Sequence, residues 1–303
     1  MARAVQNNRN WQDAEMKKTA IVIAAVVVAI GVGVFSLRRE KEKKNFELEN
    51  VPAPQEGRGA GGRSSQNDFT QAFFRGGEDF STIAARANQG DAEAQWVVSQ
   101  IYEYCFSYSL SPQKALGQYD AIEKFYPVAR RRDAHNAFVG IKNQLAKRCP
   151  QVDSGAPIPA EAITMWLEQS AKNGFLVARI RSETLKESHD ESALLALVSD
   201  IRGQPPRAVF EMGAIAPLIE EYWKDPSTAA AFSAGSYSQF AWQIAACRAG
   251  LDCSASSTVM YWACQQGGCG YASYEQYVMS EIIPPGGKVQ LESAIKIIQQ
   301  NFM

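Results

Sequence analysis

The chain has 303 residues, 46% of them hydrophobic, enough apolar material for one large domain or two small ones. Its formal net charge is −1, so no global electrostatic argument favours nucleic acid or a strongly acidic substrate. The only histidines, His135 and His189, both lie in charged polar stretches, which argues against a zinc enzyme or a Ser-His-Asp hydrolase.

Residues 1–18 form a short polar tail. Thr19 to Leu37 then runs without a charge, and at 1.5 Å per residue it spans roughly 29 Å, one hydrocarbon core. The run is long for a signal-peptide core, and Phe35-Ser36-Leu37-Arg38 is a poor cleavage site, so an uncleaved transmembrane signal anchor is expected. Flanking charges are nearly balanced and lean slightly towards a cytoplasmic C-terminus, with Arg3, Arg9, Lys17 and Lys18 before the span and Arg38, Arg39, Lys41, Lys43 and Lys44 after it. The cysteines decide the orientation. All six follow the span in spaced pairs, as disulfides of an oxidising compartment would. The expectation is a single-pass protein of a bacterial inner membrane, with 1–18 cytoplasmic and the C-terminal domain periplasmic.

Residues 38–67 read as a charged stalk followed by a Gly-, Pro- and Ser-rich linker without apolar periodicity. From Asp68 onward almost every segment has helical spacing, and no run of alternating β-branched residues appears. Asp91 to Cys105 opens on an acidic cap and carries Ala94, Val97, Val98, Ile101 and Tyr102 at the 3, 4 rhythm of a buried face. Ser111-Pro112 caps the next helix, and Pro127 interrupts it or begins another. Further helices are expected over 159–186, 190–201, 207–223, 235–250, 254–265, 274–283 and 288–302, with a clean break at Pro284-Pro285-Gly286-Gly287.

One pattern organises the middle of the chain. Ala162, Trp166, Ala171, Gly174 and Ala178 describe a helix, a tight glycine turn and a second helix. Small residues mark the close contacts, and a tryptophan fills the wedge. Its second half, Ala-x-x-Gly-x-x-x-Ala, occurs 84 residues earlier at Ala87, Gly90 and Ala94, two periods of 42. Asp133-Ala134 stands one period after Asp91-Ala92 and is read as a degenerate middle repeat. The signature resembles a Sel-one-like repeat, a relative of the tetratricopeptide repeat, over roughly residues 80–220. That resemblance implies an α-solenoid that serves as a scaffold or adaptor for other proteins, with no catalytic residues to carry over. The tail, AWQIAACRAGLDC and MYWACQQGGCG, resembles the C-terminal region of secreted or anchored helical proteins of Gram-negative bacteria, a likeness that brings no activity with it. The fold class expected is therefore all-α: a transmembrane helix, an irregular solenoid over 68–225, and a disulfide-stapled helical cap over 226–303 packed as one unit with the repeats.

Among the fifteen pairings open to six cysteines, spacing favours Cys105–Cys149, Cys247–Cys253 and Cys264–Cys269. A zinc site from the last four is the alternative, but intervals of five and four residues fit it poorly. Redox catalysis lacks a Cys-x-x-Cys. Tyr104, Phe106 and Tyr108 alternate where a helix ends and are the candidate partner-binding aromatics, beside Tyr102, Tyr119 and Tyr126, which read as packing. Arg130-Arg131-Arg132 is the one basic run of the domain, a solvated face by default and otherwise a site for anionic lipid or an acidic peptide. Glu220-Glu221 and Asp190-Glu191 are adjacent in sequence and so fall on different helix faces, which suits capping rather than acid–base work. The glycines of Gly267-Gly268-Cys269-Gly270 lack the strand and Lys-Ser/Thr of a phosphate loop. These residues point to a membrane-anchored scaffold that binds a protein or peptide, without catalytic residues, metal, cofactor or nucleic acid. The rival readings are a peptidoglycan-directed envelope enzyme and an oligomerising membrane protein whose span makes the contacts.

Overall fold

The glycines of the repeated pattern fix the local geometry around which the helices are arranged. Gly90 and Gly174 take φ values of +90° and +89°, a left-handed conformation that strains any residue with a Cβ. At each, the glycine N–H and the following N–H turn back to the carbonyls of the preceding helix: Gly90 to Ala87 and Asp91 to Arg86, Gly174 to Ala171 and Phe175 to Ser170. The same double turn recurs at Gly250, where Leu251 reaches the carbonyl of Ala246. Asp91 then caps the following helix by accepting the Ala94 N–H at 3.0 Å.

The computed structural model describes residues 73–124, 126, 128–219 and 237–303, with 128–131 as backbone only. The tail, the expected span at 19–37 and the stalk and linker to residue 67 lie outside the described residues, as does Glu220-Glu221. The described elements are α1 (Phe80–Asn88), α2 (Ala92–Leu110), α3 (Pro112–Glu123), α4 (Val128–Arg148), α5 (Ala160–Lys172), α6 (Leu176–Thr184), α7 (Glu191–Asp200), α8 (Pro206–Ile219), α9 (Ser238–Arg248), α10 (Thr258–Ala263), α11 (Tyr274–Tyr277) and α12 (Lys288–Phe302). Among the described residues the fold is all-α, with extended pairing limited to a bridge between Ser254 and Ser273. None of these helices is long and apolar enough to cross a membrane.

Packing runs as a succession. Helix α1 lies on α2, α2 on α5, α5 on α6, α6 on α8, α8 on α9, and α9 on α12. Two helices are hubs. In α2 every residue from Ala94 to Tyr102 is buried, so its polar members need internal partners. Gln95 donates to the Ala87 carbonyl at 3.0 Å, and Ser99 to that of Ile163 at 2.9 Å. In α9 the run Ala241–Ala246 is buried, and Trp242 packs on Phe302 of α12 with ring centres 4.9 Å apart. Gly213 permits the approach of α8 to α9, because a Cβ there would stand 2.7 Å from the Gln239 carbonyl oxygen.

The repeat residues take these places. Ala87, Ala94 and Ala178 are buried, while Ala162 and Ala171 are half-buried against the core. Trp166 is half-buried too and packs against the core. The middle repeat expected at Asp133-Ala134 is not a helix start. That pair lies inside the 21-residue helix α4, and α2 packs directly on α5. Helices α3 and α4 are thus an inserted hairpin beside the succession, packed on each other. A 3₁₀ segment, Cys149–Gly155, follows α4 and packs on α2.

Candidate functional site

Helix α4 turns one stripe towards the cap: Asp133, Asn136, Ala137, Gly140, Ile141 and Gln144, spaced by three and four. Opposite it stand the cap residues Ala255, Ser256, Ser257, Met260, Tyr261, Cys264, Gly270, Tyr271 and Ala272. Between the two walls runs an open groove of about 460 Å³.

The cap wall is built by short-range bonds. The Ala255 N–H reaches the Ala272 carbonyl at 3.0 Å, and the Tyr274 N–H reaches that of Cys253 at 2.9 Å. Ser257 and Ser273 cap α10 and α11, accepting the N–H groups of Met260 and Gln276 at 3.2 Å. Gly270, at φ +85°, brings this loop against α4; a Cβ there would lie 3.1 Å from the Ala134 nitrogen.

Three disulfides hold these parts. Cys105–Cys149 joins α2 to the 3₁₀ segment that follows α4, with Cα atoms 5.4 Å apart. Cys247–Cys253 closes the Gly250 turn at 5.6 Å, and Cys264–Cys269 closes the turn after α10 at 4.3 Å. The sulfurs pair as the spacing favours. The four cap cysteines are consumed in two of these bonds, which removes the zinc alternative as a thiolate set. No cluster of metal-ligating side chains occurs among the described residues.

Buried tyrosines lie behind the groove. Tyr104 and Tyr261 stack with ring centres 3.8 Å apart, and Phe74 covers the Tyr104 ring at the same distance. The hydroxyls of Tyr119 and Tyr261 are 3.0 Å apart. The Tyr126 hydroxyl donates to the Cys264 carbonyl and accepts the Cys269 N–H, each at 3.1 Å, and so grips the disulfide turn. Burial drives the Tyr104, Tyr119 and Tyr261 hydroxyls above the usual phenol range, so all three stay protonated near neutrality.

The candidate partner-binding residues divide. Tyr104 is 5% exposed and belongs to the core, because α4 and the cap cover that face of α2; its expected role in partner binding is corrected. Phe106 and Tyr108 are half-buried and pack against the same core. Arg132 is exposed, with Nε 3.5 Å from Asp133 at the groove's end. Arg130 and Arg131 lie on α4, with side chains outside the description. Asp190 accepts the Ser192 N–H at 3.0 Å and caps α7.

Asn136, Gly140 and Gln144 escaped the sequence reading. The available signal was a glycine inside a helical pattern. Gly140 has no atom within 4 Å of where a Cβ would stand. A glycine in an exposed helix interior costs about 1 kcal/mol relative to alanine, and nothing in the fold requires it there. Asn136 lies within α4, and its side chain makes no hydrogen bond to another described residue. Gln144 accepts only a long one, 3.3 Å, from Tyr104, which leaves its NH₂ free.

A second groove of about 480 Å³ runs between α5 and the end of α6, where Glu168, Lys172 and exposed Leu185 line it. Beside it, buried Glu183 meets Lys186 at 2.5 Å and His189 at 3.5 Å.

The α4–cap groove offers hydrogen-bonding amides and hydroxyls over an apolar floor. Among the described residues its one carboxylate is Asp133, and the described lining holds no histidine, lysine or arginine. Such a wall suits binding better than proton transfer. No protein-family model matches the chain, and no curated protein or solved structure is significantly similar to it.

Proposed function

We propose that the chain is a membrane-anchored periplasmic scaffold that binds a protein or peptide partner in the bacterial cell envelope. In this reading residues 19–37 hold it in the inner membrane. The linker to residue 67 confines the helical domain to a shell near that surface and so raises its effective concentration there. The degenerate Sel-one-like signature around Gly90 and Gly174 supports a repeat-derived scaffold, and three disulfides suit an oxidising compartment. One observation carries the binding role: the groove between α4 and the cap, lined by amides and hydroxyls over apolar ground with Asp133 at one end. A non-catalytic role accords with that lining.

Site-specific photocrosslinking of the full-length protein in intact cells tests this. A photoreactive residue at Asn136 should capture a defined protein or peptide adduct. The same residue at Val289, 80% exposed on α12, should capture none. Equal labelling at both positions, or none at Asn136, rejects the groove as the binding site. A reporter fused after Met303 that is active only in the cytoplasm rejects the compartment.

A further inference from the structure

The α4 wall repeats one motif at intervals of four residues, with the amide of Asn136, the bare backbone of Gly140 and the amide of Gln144 along a single ridge. Four residues of helix advance about 6 Å, and two residues of extended chain advance about 6.7 Å. An extended peptide laid along that ridge, inclined about 26° to the helix axis, therefore meets each amide with a peptide group of like orientation. A side-chain amide carries one acceptor and two donors, the complement of a backbone C=O and N–H pair. Between the amides, the open space at Gly140 admits a backbone more closely than any side chain would allow. The far wall mixes the small residues Ala255, Ser256 and Ala272 with Met260, Tyr261 and Tyr271. Among the described lining residues the one carboxylate, Asp133, stands at the end of the groove 3.5 Å from Arg132, so the ridge between the two amides carries no charge of its own and suits an uncharged stretch of peptide.

We propose that this groove recognises an extended, small-residue peptide segment through its backbone, with Asn136 and Gln144 bonding peptide groups on either side of a close approach at Gly140. The inference rests on the binding role proposed above and specifies what is bound and how.

The test uses the full-length protein in detergent, with amide resonances of the helical domain followed by NMR. The probes are an eight-residue alternating Ala-Ser peptide carrying lysine at one end or the other, and the same peptides with N-methylated central residues. The expected result is shifts at Asn136, Gly140 and Gln144 with the plain peptides, and at least tenfold weaker binding after N-methylation. Gly140→Leu should also weaken binding at least tenfold. Gly140→Ala should weaken it while raising Tm, since its Cβ meets open space. Gly117→Ala, in α3 away from the groove and equally open, should raise Tm without touching binding. No shifts with either plain peptide, equal binding after N-methylation, or shifts at these residues only with an amphipathic helical peptide or a lipid micelle would overturn the proposal. A crosslinked adduct at Asn136 combined with any of those results would leave the scaffold role standing and remove the backbone-reading mechanism alone.

Discussion

The hydroxyl of Tyr119 on α3 stands 3.0 Å from that of Tyr261 on α10, joining the inserted hairpin to the cap across 142 positions of sequence. Both rings are buried, so neither hydroxyl can exchange its partner for bulk water. Removing one oxygen leaves the other short of a partner, at a cost of about 1–2 kcal/mol. Tyr119→Phe and Tyr261→Phe should each lower the urea midpoint with an unchanged m-value, and the double variant should lose less than the sum. Additive losses would show that the two hydroxyls are satisfied independently, for instance by Gln265 beside both.

The same cluster sets the alkaline limit of stability. Burial raises the Tyr104, Tyr119 and Tyr261 hydroxyls above their ordinary value, so the folded state holds these protons more tightly than the unfolded chain does. Their contribution is complete below about pH 10, the phenol value in an unfolded chain, and is lost as the pH rises towards the folded values. Thermal midpoints should therefore fall steeply above pH 10. Tyrosinate absorbance near 295 nm should show part of the tyrosines ionising only together with unfolding. Smooth ionisation of every tyrosine near pH 10 in the folded protein would contradict the burial described.

Legibility in the sequence followed the range of the interactions. The turns at Gly90 and Gly174 were readable because a left-handed glycine and its flanking alanines are local requirements within ten residues of chain. The cysteine pairing was readable for a related reason, since two of the three loops are closed by neighbours five and six positions apart. Asp133-Ala134 misled because a correct period says nothing of whether a helix already runs through the pair, as α4 does. Tyr104 misled because the residue covering it, Tyr261, lies far downstream, and no local pattern encodes that burial. Gly140 was visible as an anomaly in a helical stretch, but its meaning required the groove in front of it.

The disulfides should contribute unequally. Cys105–Cys149 closes a loop of 44 positions, for which chain entropy suggests about 4 kcal/mol, against about 2 for each of the loops of 6 and 5. It also joins α2 to the 3₁₀ segment that follows α4, whereas each short bridge staples a turn. Replacing Cys105 and Cys149 together by alanine should lower Tm more than removing either of the other pairs. The unreduced native protein should not react with a thiol alkylating reagent. Alkylation without prior reduction would overturn the pairing.

Glycine-to-alanine exchange at two helix positions should have opposite signs, for reasons that lie in what each glycine faces. At Gly213 a Cβ would stand 2.7 Å from the Gln239 carbonyl oxygen and 2.9 Å from the Gln243 side chain, inside the contact between α8 and the buried helix α9. Relief requires the two helices to part, and overpacking of this kind costs about 1–3 kcal/mol. Helix α9 also carries Trp242 against Phe302, so a shift there would loosen the α12 contact as well. At Gly140 a Cβ meets nothing, and alanine removes the entropic cost of a glycine in a helix, a gain of about 0.5–1 kcal/mol. Denaturant midpoints of Gly213→Ala and Gly140→Ala should therefore move down and up respectively. Loss of stability in Gly140→Ala would mean that the glycine answers a packing demand within the fold, and the case for its service to the groove would fall with it.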